Sequence, residues 1–232
     1  MHGGGPPVVA GTPLPPAYKA EDVALVTAGC SNLRRHIENT LAFGLSVVVA
    51  INRFASDTDA EVAAIRDASL ASGACDAVVS THHADGGAGA AALAAAVVAA
   101  CEAGANGGGP SPAVPTRPAL RFTYELDAPI ASKIEAVVRG IYRGDGVALS
   151  PLAQQKIELY TAQGFGNLPI CVAKTQYSFS SDAALKGAPT GFTIPVRDVR
   201  LSAGAGFVVV LVGACVCVSS FARSRPFSLA LG

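Results

Sequence analysis

Two short runs end in residues that could hold a flat, polar ligand: Asn52-Arg53-Phe54 and His82-His83. An aromatic ring beside an amide, a guanidinium and two imidazoles can cover the face of a planar heterocycle and hydrogen-bond its edge. By analogy with bases stacked on aromatic side chains, such a ring contributes about 1–3 kcal/mol. A metal site built from His82, His83 and Asp85 is the competing chemistry. Adjacent residues rarely converge on one ion, and no further histidine lies nearby in sequence, so no metal ligands are assigned. Gly86 and Gly87, ahead of an alanine-rich run, could offer backbone N–H groups to an anion, although tight turn packing accounts for them equally well. Lys174, in the polar set Lys174-Thr175-Gln176-Tyr177-Ser178, could neutralise a phosphate or carboxylate. No residue is assigned a catalytic role. No G-x-x-x-x-G-K-[ST] run, and so no phosphate-binding loop, occurs in the chain.

These residues need elements to position them. The β-branched runs 47–51 and 76–80 read as two parallel strands joined by a crossover helix over 58–73, each strand buried on both faces. Ligands of such sheets sit beyond the carboxyl ends of the strands, which puts Asn52, Arg53, Phe54, His82 and His83 along one crevice. Apolar positions at helical spacing predict a helix over 21–43 stopped by Gly44. The next helix opens on 57–61 with a carboxylate cap and closes at Gly73, and a third runs over 86–103. Beyond the glycine- and proline-rich run 104–118 come helices over 129–142 and 150–163. Strands are expected over 122–126, 168–173, 196–199 and 207–212. The class is α/β, a mostly parallel sheet of βαβ units. The domain reading is 1–103, a linker or surface excursion over 104–118, and a smaller α/β domain over 119–232.

Composition narrows the partners. Half of the 232 residues are hydrophobic and 15% are charged, as in a globular chain. Seventeen basic residues balance seventeen acidic ones, which removes the electrostatic support a nucleic-acid partner needs. The uncharged run 201–218 reads as buried strands with a tight turn, because Gly204, Gly206 and Gly213 interrupt it; no membrane span is expected. Six cysteines without a C-x-x-C pair read as buried free thiols of a reducing compartment.

Several ordered segments make the chain recognisable: MHGGGPPVVAGTPLP, NLRRHIENTLAFGLSVVVAINRF, DTDAE, THHADGGAGA, YTAQGFGNLPICVAKTQYSFS, KGAPTGFTIPVRDVR and SAGAGF. Together they closely resemble formate–tetrahydrofolate ligase, also called 10-formyltetrahydrofolate synthetase. The His82-His83 pair is similar to the plant form of a motif that elsewhere carries tryptophan at the second position. The resemblance implies an ATP-dependent ligase of one-carbon folate metabolism that joins formate to tetrahydrofolate through formyl phosphate. It implies ATP with Mg2+ and a monovalent cation, a P-loop NTPase-like core, a homo-oligomer at full length, and a cytoplasmic or organellar setting. It also implies that Phe54 and His83 flank the pterin ring. The family's phosphate-binding loop, catalytic lysine and formyl-phosphate arginine lie ahead of the matched segments. After Val212 a Met-Pro-Gly-Leu-Pro-like stretch is expected where residues 217–222 read CVSSFA. The chain is therefore expected to be a truncated portion of the enzyme, inactive alone. Two other readings stay open: a non-catalytic pseudoenzyme or oligomerisation fragment, and a GTPase-like nucleotide module built on Asn52-Arg53. For the latter, the guanine-holding aspartate is replaced by Ala55.

Overall fold

The structure, a computed structural model, describes residues 2–9, 11–105 and 120–213. They fall into two compact units, the first drawn from 2–105, 120–122 and 186–188 and the second from 123–185 and 189–213. Most of the 104–118 run, the CVSSFA tail, Cys215 and Cys217 lie outside the described residues.

In the first unit, α1 (Val23–Ala42) starts at Asp22, whose carboxylate accepts from the Leu25 N–H at 2.8 Å. Gly44, at φ 78°, follows its last turn, as the sequence predicts. Strand β1 (Val48–Asn52) leads to α2 (Asp59–Ala71) and β2 (Asp76–Ser80). The cap of α2 is not a carboxylate. Thr58 and Glu61 form a reciprocal capping box, while Asp57 accepts from the Phe54 N–H at 2.8 Å. Arg66 of α2 clamps β2 by donating to the Ala77 carbonyl and pairing with Asp76 at 2.9 Å. Strands β1 and β2 pair in parallel with Asn52 opposite Ser80, so the two strands end level. They are not buried on both faces: Ala50 and Asn52 are exposed and Val48 and Val49 only half-buried. The reason is that this sheet has two strands among the described residues, too few to be covered.

The helix expected over 86–103 is subdivided. A single turn, α3 (His82–Asp85), runs into a 3₁₀ segment (Gly86–Ala90) and then α4 (Ala91–Ala105). Gly89 is required there, because a Cβ would lie 2.6 Å from the Thr81 carbonyl carbon. Its own carbonyl accepts from the Thr81 N–H.

The second unit is built on a four-stranded sheet in the order β3 (Gly146–Leu149), β5 (Thr193–Ser202), β6 (Phe207–Val212), β4 (Ile170–Ala173). β3 pairs with β5 and β4 with β6 in parallel, but β5 and β6 form an antiparallel hairpin across a short turn. The sheet is therefore mixed, not βαβ throughout. Strand β3 is an addition to the sequence reading, and β5 is longer than 196–199. The expected strand over 122–126 does not form. Tyr124 there instead accepts the Ile170 N–H on its hydroxyl at 3.0 Å. The predicted 129–142 helix is α5 (Ile130–Val137) continued by a π-helical turn (Val138–Tyr142), with Pro129 as its cap. Helix α6 (Pro151–Ala162) is capped by Ser150, as Ser-Pro predicts. Ile134, Val138, Ile194, Val199, Val208 and Val210 form a closed core. Lys133 is fully buried beside it, its ammonium donating to the carbonyls of Gly166 (2.7 Å) and Leu168 (3.1 Å). Burial lowers the pKa of Lys133.

Candidate ligand site at the strand ends

The level ends of β1 and β2 bring the two predicted runs to one edge of the first unit. The Arg53 N–H donates to the Ser80 carbonyl at 3.2 Å, carrying the ladder one step past β1. Phe54 leaves immediately after and is 69% exposed, a large ring left in solvent at the edge where ligands of parallel sheets bind. Arg53 is turned sideways, paired with Asp59 at 2.8 Å and donating to the Asp57 carbonyl at 3.3 Å. On the neighbouring strand end, His82 Nδ1 shares a hydrogen bond with Ser80 Oγ at 2.9 Å. That contact orients one imidazole, and His83 is exposed.

A pocket of about 190 Å³ opens beside this edge. Of the predicted site residues only Asn52 lines it. The other polar walls are Tyr18, Asp22, Ser56, Asp57 and Glu61, over an apolar floor that includes Ile51 and Val62. Sequence reasoning missed these residues as a site. Thr58-x-x-Glu61 is a legible helix start, but nothing in one sequence says that the Glu61 carboxylate also reaches the head of α1. Its Oε1 accepts from the Asp22 N–H at 3.0 Å and its Oε2 from the Thr58 N–H at 3.1 Å. Those two backbone donors, Asp22 first, hold Glu61 below its ordinary pKa. Three carboxylates, a phenol, an amide and a hydroxyl, without lysine or arginine, suit a ligand rich in N–H groups better than a phosphate.

Gly86 and Gly87 fall inside the 3₁₀ segment and not at the first turn of an α-helix. In the second unit, Lys174 holds its own loop. Its ammonium donates to the carbonyls of Thr175 (2.9 Å), Ser178 and Ser180 (3.2 Å) and lies 4.9 Å from the centre of the Tyr142 ring. Burial, helped by nearby Cys171, pushes the Tyr142 hydroxyl up to about 12. Among the described residues no group of three or more His, Cys, Asp or Glu could hold a metal ion. Of the described cysteines, only Cys30 fits the buried-thiol expectation. Cys75 is half-buried, and Cys101 and Cys171 are exposed because α4 and β4 leave them uncovered.

The fold is that of an α/β protein, with parallel pairing in both units. The family model for formate–tetrahydrofolate ligase matches residues 1–226. The chain is 57% identical to the formate–tetrahydrofolate ligase of Spinacia oleracea and 55% identical to that of Arabidopsis thaliana. Each match covers 92% of this chain, and 31% and 32% of those proteins. It is 51% identical to the cytoplasmic C-1-tetrahydrofolate synthase of Mus musculus, over 92% of this chain and 21% of that protein. The chain belongs to the formate–tetrahydrofolate ligase family. It spans about a fifth to a third of the length of these curated relatives.

Proposed function

We propose that this chain supplies the folate-side portion of an ATP-dependent ligation of formate to tetrahydrofolate. A formate oxygen attacks the terminal phosphorus of ATP, and ADP leaves. The N10 amine of tetrahydrofolate then attacks the carbon of the resulting formyl phosphate, inorganic phosphate leaves, and the amine proton passes to solvent or a base. The observation that carries this reading is the exposed Phe54 at the end of β1, level with the His82-His83 end of β2 in a parallel pair. In the proposal Phe54 and His83 flank the pterin. Asn52, Arg53 and His82 border its edge, and the carboxylate-lined pocket accepts its ring N–H and amino groups.

The phosphate chemistry falls to residues that this sequence does not contain, in a P-loop NTPase-like core to which the first unit contributes. Mg2+ and a monovalent cation accompany ATP there. Among the described residues no group of three or more His, Cys, Asp or Glu is gathered to hold a metal ion, so the proposal gives Mg2+ no ligand from this chain. A cytoplasmic setting and a homo-oligomeric full-length enzyme complete the proposal.

The test is a pair of measurements on the 232-residue chain. Calorimetry should show heat of tetrahydrofolate binding, while incubation with formate, ATP and tetrahydrofolate should give no 10-formyltetrahydrofolate. Absence of folate binding would remove the site assignment. Product formed by this chain alone would contradict the assignment of phosphate chemistry to residues outside it.

A further inference from the structure

A helix that is apolar all round is normally buried, yet α4 is not. Its residues are alanine, glycine, valine, leucine and cysteine, with Glu102 as the one charge. The half-buried stripe Leu93, Ala96, Ala100 and Ala103 is accounted for by packing on β1 and β2. Every other position from Ala91 to Glu102 is exposed, Val97 at 45% and Val98 at 54%. The sheet beneath is a parallel pair, an arrangement that ordinarily continues into further strands covered by helices.

We propose that the outer face of α4 is an interface for the polypeptide that completes the ligase fold, the part of the plant relatives this chain does not match. The spinach and Arabidopsis proteins carry about two-thirds of their length outside the matched segment, enough to cover the helix. The composition also favours a protein over lipid. The stretch His82–Ala103 is long and apolar enough to cross a membrane. However, a 3₁₀ segment with three glycines interrupts it, and its alanines give lipid little area while letting another backbone approach closely. This inference rests on family membership and not on the folate assignment, so its test reads assembly and not activity.

The unmatched portion of the spinach ligase is expressed with and without the 232-residue chain, and maleimide labelling of Cys101 is read by peptide mass spectrometry. Cys171, exposed on β4, is a reference thiol. The expected result is a stoichiometric complex in which Cys101 labels at least about tenfold more slowly while the chain's folding is retained. Val97→Glu and Val98→Glu, both at exposed positions, should weaken that complex at least about tenfold without lowering the chain's own helicity. Solubility of the spinach portion only alongside the chain also supports the interface. A soluble, ATP-binding spinach portion that leaves Cys101 unprotected overturns it, as does a portion insoluble in both settings. Protection of Cys101 by self-association of the chain alone, or flotation of the chain with liposomes, overturns it in favour of a second copy or a membrane.

Discussion

In the second unit Ile194, Val199, Val208 and Val210 have no measurable exposure, and the inner face of the β5–β6 hairpin is closed by side chains of the same unit while Thr193, Pro195, Arg197 and Arg200 point outward. In the first unit β1 leaves Ala50 and Asn52 in solvent, and the helix packed on it buries one stripe only. The two regions have similar hydrophobic content in sequence but differ in how much of it is covered. A four-stranded sheet with two helices can close around a core, whereas a lone parallel pair cannot. The proposed ligand edge lies on the open unit, where Phe54, free of core duty, is exposed. On the proposed reading, stability and ligand binding are carried by different regions of the chain.

Substitutions can break this contrast. Ile194→Ala should cost about 2–5 kcal/mol in urea unfolding of the second unit, against less than about 0.5 kcal/mol for the exposed Val97→Ala of the first. Equal costs would erase the distinction. Thr58→Ala removes the hydroxyl that accepts the Glu61 N–H and should destabilise α2 by about 1 kcal/mol. It should be read as faster amide exchange in α2 and leave β5–β6 protection unchanged. A smaller effect concerns acid. Burial pushes the Asp198 carboxyl up, but the Lys156 ammonium at 2.6 Å, the Val199 N–H and Arg200 outweigh it and hold the pKa below 3.8. A depressed carboxylate contributes stability above its unfolded value that is lost as pH falls through the folded one. The second unit should therefore weaken progressively below about pH 4. Asp198→Asn should flatten that decline, and an unchanged acid profile would count against the pair.

Much of the architecture was legible because local signals and tertiary partners agreed. Ser150-Pro151 starts α6, Gly44 follows α1, and Phe207–Val212 is a strand as read. The failures share a cause. Gly146–Leu149 is four residues without periodicity and becomes β3 only because β5 offers a ladder. The 122–126 run has strand-forming residues but no ladder partner, and its Tyr124 hydroxyl takes the Ile170 N–H instead. The antiparallel β5–β6 pairing is likewise decided between strands and not within them. In the first unit, the residues that follow β1 and β2 could be picked from their positions after apolar runs. Asp22, Asp57 and Glu61 looked like helix-start residues, and only the approach of α1 to α2 makes them pocket walls.

The central claim is that an exposed ring after β1 and an imidazole after β2 hold the two sides of a pterin. Titrating tetrahydrofolate into the full chain and its Phe54→Ala and His83→Trp variants tests it most directly. Loss of the Phe54 ring should weaken binding about tenfold or more, and the broader indole should tighten it several-fold. Three indistinguishable affinities, or a weaker His83→Trp beside an unchanged Phe54→Ala, would contradict it.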